Sequence, residues 1–120
     1  QETDPVLNID IKQFTQVFMN VVINAYQALS GVAGAEIKIR TFIESKKMMI
    51  EVIDNGPGVA AEIAHKIFEP FFTTKHKGSG LGLAVSQKIV RSMNGDITVS
   101  SVPGKETKFT IMLPVCEDAG

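Results

Sequence analysis

Hydrophobic residues recur at two periods along the chain, and each period predicts a different kind of secondary structure. Apolar side chains spaced three and four residues apart predict a long helix over residues 11–30. The same spacing predicts a second long helix over residues 81–93 and a short helix over residues 60–67. Glycine residues follow both long helices, as expected where a helix ends.

A second pattern, in which apolar and polar residues alternate, predicts the strands. It is clearest in residues 36–44 and 48–54, which flank a short turn and therefore predict a β-hairpin. Together the elements predict one domain over residues 1–120, an α/β two-layer sandwich with a mixed, mainly antiparallel sheet of about five strands packed on three helices. The predicted strands cover residues 7–10, 36–44, 48–54, 96–101 and 108–113.

Composition excludes several classes of protein. The formal net charge of −1 lacks the positive excess of a nucleic-acid-binding surface, so no nucleic-acid partner is expected. No apolar run approaches the roughly 20 residues that cross a bilayer, so no direct membrane insertion is expected. The single cysteine, Cys116, forms no internal disulfide and fits a cytoplasmic compartment, although the parent protein could still be tethered to a membrane.

The first predicted helix carries a stripe of five amide side chains beside its apolar face. A solvated helix face usually mixes Lys and Glu, whereas this stripe carries no charge. Amides both donate and accept hydrogen bonds and avoid the cost of burying a charge, so the stripe suits the floor of a polar cavity. A weakly polar surface stripe is the alternative interpretation. The amides are Gln13, Gln16, Asn20, Asn24 and Gln27.

A carboxylate ends the second strand of the predicted hairpin. Alternation along the strand places Ile50, Val52 and Asp54 on the core-facing side. An ionised carboxylate only accepts hydrogen bonds and a purine amino group only donates them, so Asp54 could select adenine over guanine. Gly56 and Gly58 would let the backbone pass close to a flat ligand. The alternative is a simple turn, which Asp and Gly favour.

A glycine-rich run over residues 78–83 leads directly into the second long helix. Free backbone N–H groups at a helix start attract anions, and glycines let phosphate come close. The run is not preceded by a strand, which argues against a dinucleotide-binding fold. By itself the run could equally be a flexible hinge. Upstream, residues 73–77 supply hydroxyls and cations that could cover a triphosphate or simply lie in solvent.

Taken in order, these segments resemble the sequence boxes of the GHKL, or Bergerat-fold, ATP-binding family and, within it, the sensor histidine kinases. The phenylalanine-rich segment is the one that separates histidine kinases from other GHKL members. The short loop between Lys75 and Gly78 is similar to that of the short-lid, nitrogen-regulatory-like branch. The matching segments are residues 16–28 (asparagine box), 54–58 (first glycine box), 67–75 (phenylalanine box), 78–83 (second glycine box) and 104–111 (closing glycine and threonine segment).

The resemblance implies catalytic roles for Asn20 and Lys75 and a metal-binding role for Asn24. Asn24 would bind the Mg²⁺ ion that bridges the phosphates of ATP, and Asn20 would lie beside it near the γ-phosphate. Other GHKL ATPases have a glutamate base where Asn20 stands. An amide cannot take a proton from water, so ATP would be saved for transfer to a protein. Lys75 would offset phosphate charge.

The resemblance also implies contacts between the nucleotide and both glycine boxes. Asp54 would accept a hydrogen bond from the adenine amino group, together with a water held by Thr107. Phe68, Phe71 and Phe72 would anchor the lid or dock on the neighbouring helical domain, with plain core packing as the alternative. The remaining implied nucleotide contacts are Gly56, Gly58, Thr74, Gly78, Gly80, Leu81, Gly82 and Leu83.

The reaction that the resemblance implies is transfer of the γ-phosphoryl group of ATP to a histidine. The acceptor should lie on a long helical hairpin with an acidic neighbour, and neither His65 nor His76 fits. The chain is therefore expected to be a catalytic domain that acts on a separate dimerisation domain. It would reach a response regulator only through the full-length protein, and would be monomeric alone. Two alternatives stay open: an anti-sigma-type serine kinase, and a nucleotide-binding signalling partner without catalysis.

Overall fold

The computed structural model describes residues 7, 9–59, 61–64, 66–69 and 82–116. These residues form two layers, a four-stranded sheet and a layer of helices, as the sequence predicts. None of the described helices is long and apolar enough to cross a membrane. The helices are α1 (Ile11–Ala28), α2 (Ala61–Ala64) and α3 (Gly82–Ser92), and the strands are β1 (Ile37–Glu44), β2 (Lys47–Asp54), β3 (Asp96–Val102) and β4 (Glu106–Pro114).

The strand predicted just before α1 is wrong, because Leu7, Ile9 and Asp10 lie outside any strand. Asp10 is instead the N-cap of α1, and its carboxylate accepts from the N–H groups of Lys12 and Gln13 at 3.0 and 3.3 Å. These bonds satisfy two of the free N–H groups that open the helix. Leu7 and Ile9 pack against the core. The described sheet therefore has four strands instead of about five.

The strands follow the order β1-β2-β4-β3, and the three described pairings are all antiparallel. The sheet expected to be mixed is thus antiparallel throughout its described part. Ser45 and Lys46 join β1 to β2 with φ angles of 54° and 64°, the backbone of a tight hairpin turn. Because β2 and β4 are the central strands, Asp54 at the end of β2 lies opposite Thr107 of β4.

Helices α1 and α3 pack side by side and share one core with the sheet. The buried residues of α1 are Val17, Val21 and Ala25, at the four-residue spacing that predicts the helix. The buried residues of α3 are Ser86 and Val90. Burying one large aliphatic side chain contributes about 1.5–3 kcal/mol, so this core fixes both helices over the central strands. On the sheet side it consists of Ile50, Val52, Ile97, Phe109, Ile111 and Leu113.

The opposite face of the sheet carries a buried charge. Glu51 alternates with Ile50 and Val52 and so points away from the helices, yet its side chain is only 8% exposed. Arg40 of β1 and Lys108 of β4 flank it, with nitrogen–oxygen distances of 3.0 and 3.6 Å. The ion pairs connect β2 to both of its neighbours.

Candidate functional site

A buried carboxylate lies where β2 ends. Asp54 is 1% exposed and completes the core-facing row, as the alternation predicts. The backbone N–H of Gly56 donates to its Oδ1 at 2.9 Å. Thr107 is its partner on β4 and is also buried, so the hydroxyl and the carboxylate are neighbours on one face of the sheet. An ionised carboxylate has several acceptor sites, so it can serve this N–H and a ligand amino group together.

The turn after Asp54 is packed tightly against the end of α1. A Cβ atom at Gly56 would lie 2.9 Å from Asp54 Oδ1 and 3.1 Å from the carbonyl oxygen of Ala28. The first distance is shorter than Cβ contacts in proteins and the second is unusually tight, so the close packing favours glycine. As a result, the carboxylate of Asp54 lies beside the C-terminal turn of α1.

Gly58 packs on the other side, against the turn between β3 and β4. Its φ is +80°, and a Cβ atom would lie 2.7 Å from the carbonyl oxygen of Val102. The Ser101 hydroxyl joins the two segments, since it accepts from the Val59 N–H at 2.6 Å and donates to the Glu106 carbonyl at 2.9 Å. The first glycine box is therefore held between α1 and the β3–β4 turn. At both Gly56 and Gly58 a side chain would crowd neighbouring atoms.

Asn55, inside this box, has a role that the sequence does not reveal. Its Oδ1 accepts from the Glu36 N–H at 2.8 Å, and its Nδ2 donates to the Gly34 carbonyl at 2.9 Å. These bonds tie the box to the loop between α1 and β1. The two partners are 19 and 21 residues away in the chain, so a local pattern shows only that Asn suits a turn.

The second part of the site lies between α1 and α3. The side-chain Nδ2 of Asn20 donates to the carbonyl of Gly82 at 3.3 Å and to the hydroxyl of Ser86 at 3.1 Å. Asn24, one turn later, is half-buried like Asn20. The two middle amides of the stripe are thus partly shielded from solvent, while its outer members are at the surface. The exposed amides are Gln13, Gln16 and Gln27.

Ser86 was not predicted from the sequence as part of this site. Its signal is weak: a small polar residue four positions before the buried Val90, on the apolar face of α3. Small polar residues are common in helices, so the pattern alone does not distinguish a hydrogen-bonding role from simple packing.

The two parts of the site lie along the same helix. Asn20 and Ala28 are separated by roughly 12 Å along α1, given the rise of a helix per residue. An extended nucleoside triphosphate could span such a distance. Gly82 and Leu83 lie in the first turn of α3, close to Asn20, where N–H groups lack partners within the helix.

Much of the predicted lid lies outside the described residues. Phe68 is described, and its ring packs edge-on against Phe109 with the ring centres 6.1 Å apart. Phe68 therefore belongs to the core, which was the alternative interpretation of this residue. The predicted residues outside the described part are His65, Phe71, Phe72, Thr74, Lys75, His76, Gly78, Gly80 and Leu81.

Comparison with protein families agrees with this geometry. Residues 9–117 match the family described as histidine kinase-, DNA gyrase B-, and HSP90-like ATPase. The chain belongs to this family. The matched region contains both parts of the site, and the GHKL resemblance of the sequence boxes is thereby confirmed.

The relatives within this family include sensor kinases. The chain is 45% identical over 115 residues to the signal transduction histidine-protein kinase AtoS of Escherichia coli K12, covering 95% of the chain and 18% of AtoS. It is 43% identical over 119 residues to the sensory histidine kinase/phosphatase NtrB of Rhodobacter capsulatus, covering 88% of the chain and 33% of NtrB. The chain therefore spans about a third or less of the length of these relatives.

Solved structures share the fold. The nucleotide-free catalytic domain of histidine kinase ThkA is 33% identical with a TM-score of 0.78, covering 90% of this chain and 70% of that one. The mycobacterial sensor histidine kinase MprB is 26% identical with a TM-score of 0.81, covering 93% of this chain and 78% of that one. The predicted α/β sandwich is confirmed as the fold of histidine kinase catalytic domains.

Proposed function

We propose that this chain is the ATP-binding catalytic domain of a sensor histidine kinase and transfers the γ-phosphoryl group of ATP to a histidine on a separate dimerisation domain. The observation that carries the proposal is the placement of two polar sites along α1. The buried Asp54 carboxylate lies at the end of this helix, and the Asn20 amide meets the start of α3. Similarity to AtoS over 95% of the chain supports the same conclusion.

At the base end, Asp54 would select adenine. Its ionised carboxylate accepts hydrogen bonds and the adenine amino group donates them, whereas guanine presents a carbonyl oxygen at that position and would be repelled. Thr107, opposite Asp54 on β4, would hold a water beside the base. Gly56 and Gly58 would keep side chains away from the face of the base.

At the phosphate end, backbone N–H groups would face the phosphates. Gly82 and Leu83 lie in the first turn of α3, where free N–H groups and the helix dipole favour an anion. The other members of the second glycine box would extend this cradle, and the lid would add a hydroxyl and a cation. These additional contacts are Gly78, Gly80, Leu81, Thr74 and Lys75.

The half-buried amides fit a magnesium ion. Mg²⁺ prefers oxygen ligands, keeps several waters and takes phosphate oxygens with few protein ligands, so an amide oxygen suits it. Asn24 would supply that ligand, with Asn20 beside it. When bound, the ion neutralises phosphate charge during transfer.

The rest of the chemistry is positioning. Asn20 is an amide and cannot act as a base toward water, so hydrolysis would be slow compared with attack by a histidine held in line. The acceptor histidine belongs to the dimerisation domain, and the response regulator would be reached through the full-length protein. The chain alone would be a monomer. The relatives named above are sensor kinases, and nothing among them favours the serine-kinase alternative.

Calorimetry with non-hydrolysable ATP and GTP analogues in Mg²⁺ tests the base site. We expect the ATP analogue to bind and the GTP analogue to bind roughly tenfold more weakly or worse. Asp54→Asn turns one acceptor into a donor. Losing a hydrogen bond to a charged group costs about 1.5–3 kcal/mol, so the affinity for the ATP analogue should fall roughly 10- to 100-fold.

Asp10→Asn is the matched control for this measurement. It makes the same chemical change at the N-cap of α1, where Asn caps as well as Asp, and should alter affinity by no more than about twofold. Equal binding of the two analogues, or full affinity in the Asp54→Asn variant, would contradict the proposed adenine site.

A further inference from the structure

Ser86 is a buried polar side chain that the proposed function leaves unused. It is 0% exposed and lies on the face of α3 that packs into the core, four residues before Val90. A hydroxyl in such a place costs free energy unless it is hydrogen-bonded. Its described partner is Asn20, whose Nδ2 donates to Ser86 Oγ at 3.1 Å.

The amide of Asn20 is held in one orientation by its two acceptors. The carbonyl oxygen of Gly82 lies 3.3 Å from the amide and can only accept, so the atom facing it must be Nδ2. Both N–H bonds of the amide are then directed at α3. The amide oxygen Oδ1 is then not directed at either of these two acceptors, and it would face the magnesium ion that the proposed function places beside Asn20.

The Gly82 carbonyl decides which amide atom faces α3, and Ser86 adds the shorter bond that holds the amide there. Gly82 precedes Ser86 by one helical turn, so its carbonyl also accepts the Ser86 N–H of the helix itself. The bond from Asn20 shares that oxygen and is the longer of the two, 3.3 against 3.1 Å. Without the hydroxyl, one half-buried N–H of Asn20 loses its acceptor, and only the longer bond to the Gly82 carbonyl still holds the amide.

We propose that Ser86 is a positioning residue for phosphoryl transfer. Through Asn20 it presents an amide oxygen, rather than an amide N–H, to the magnesium ion and the phosphates. This inference rests on the proposed function, because it is that function which would place a magnesium nucleotide beside Asn20. Packing alone does not need the hydroxyl, since alanine occupies nearly the same space.

Calorimetry on the whole chain, with the ATP analogue in Mg²⁺ and again in EDTA, tests the inference. Ser86→Ala should weaken binding in Mg²⁺ roughly tenfold, because the Asn20 amide beside the proposed ion loses one of its two hydrogen bonds. Binding in EDTA should change by no more than about twofold, because Asp54 is untouched. Ser92→Ala is the matched control, since its hydroxyl bonds the Ile89 carbonyl at 2.6 Å at the exposed end of the same helix and should alter neither affinity.

A double-mutant cycle separates positioning from packing. In an Asn20→Ala background, Ser86→Ala should cause no further loss of Mg²⁺-dependent affinity, because the hydroxyl acts through that amide. Additive losses, or an equal loss in EDTA, would overturn the inference. Full Mg²⁺-dependent affinity in Ser86→Ala would overturn the inference alone, whereas failure of the unmodified chain to bind would overturn the proposed function and the inference together.

The side-chain amide signals in a nitrogen–proton correlation spectrum give a measurement without nucleotide. The pair that disappears in Asn20→Asp belongs to the Asn20 amide. Its exchange with water should be faster in Ser86→Ala than in the unmodified chain, and unchanged in Ser92→Ala. An unchanged exchange rate in Ser86→Ala would show that the hydroxyl does not hold the amide.

Discussion

Among the described glycines with a positive φ angle, Gly58 is the one with crowded surroundings. Gly31, Gly58 and Gly104 have φ angles of +78°, +80° and +81°. A Cβ atom at Gly31 or Gly104 would meet nothing within 4 Å, whereas at Gly58 it would lie 3.0 Å or less from three atoms of the β3–β4 turn. An unusual backbone and a crowded neighbourhood therefore coincide at this residue, next to Asp54.

Gly58→Ala should destabilise the fold more than Gly31→Ala. The left-handed backbone costs a side chain about 1–2 kcal/mol at either position. Overlap with the β3–β4 turn should add about 1–3 kcal/mol at Gly58 alone. Urea unfolding, monitored by circular dichroism, measures the loss of unfolding free energy in both variants. Equal losses would contradict the prediction, because they would mean that the β3–β4 turn moves away from the new methyl group without a cost in free energy.

At the scale of single residues, the sequence predicts those side-chain positions that depend on neighbours along the chain. Alternation in β2 is enough to place Asp54 inside, and helical spacing is enough to put Asn20 and Asn24 on one stripe. Ser86 and Asn55 are different, because their partners are distant: Ser86 meets Asn20 across 66 residues. No local sequence pattern predicts such distant contacts, so the hydrogen-bonding roles of these two residues are seen only in the structure.

At the scale of elements, the residue at which a helix or strand begins or ends depends on hydrogen-bonding groups. The hydrophobic pattern does not describe these groups. Apolar residues before α1 suggest a strand, yet the Asp10 carboxylate caps the helix and the preceding residues pack on the core. A strand also needs a partner, which alternation alone cannot supply. The β1–β2 hairpin is predicted well because its partner is adjacent and its turn is short.

Glu51 is expected to stabilise the sheet across three strands. Glu51→Ala removes the buried carboxylate between Arg40 and Lys108 and should lower the free energy of unfolding by about 1–2 kcal/mol. The loss is below that of a fully buried ion pair, because Arg40 remains 63% exposed and can be hydrated. Glu44→Ala, at an exposed position on β1, is the control and should change stability by no more than about 0.5 kcal/mol. A Glu51→Ala variant as stable as the unmodified chain in urea would contradict this role.

At the scale of the whole molecule, the two periods of the sequence predict the layers, while the relation between the layers needs the structure. Asp54 and Asn20 lie along the same helix because α1 packs over β2 and because its C-terminal turn meets Gly56. The spacing of residues along the chain does not predict that α1 packs over β2 in this way. The lid residues that complete the site are predicted from motif similarity only, since they lie outside the described residues.

Phosphoryl transfer should require a second polypeptide. With Mg²⁺ and labelled ATP alone, the chain should not label itself, because the two histidines in its sequence, His65 and His76, fit no acceptor hairpin. When the dimerisation hairpin of a relative such as AtoS is added, label should appear on the hairpin in the acid-labile, alkali-stable form expected of phosphohistidine.

The same assay contains its own controls. Asp54→Asn should slow the labelling of the hairpin, and Asp10→Asn should not. Labelling of the chain itself on serine or threonine, or none on any hairpin despite normal nucleotide binding, would argue for one of the alternative functions.

The β1–β2 turn offers a labelling site from which the docking of this domain onto a partner can be measured. Its tip is separated from Asp54 by the length of β2, which for residues Lys47–Asp54 is about 23 Å. Ser45 is exposed there, and replacing it and the exposed Cys116 as Ser45→Cys and Cys116→Ser would allow one dye to be attached away from the nucleotide. Such a dye would tumble with the rigid hairpin, so its fluorescence anisotropy would report docking onto a larger partner in real time without competing for ATP.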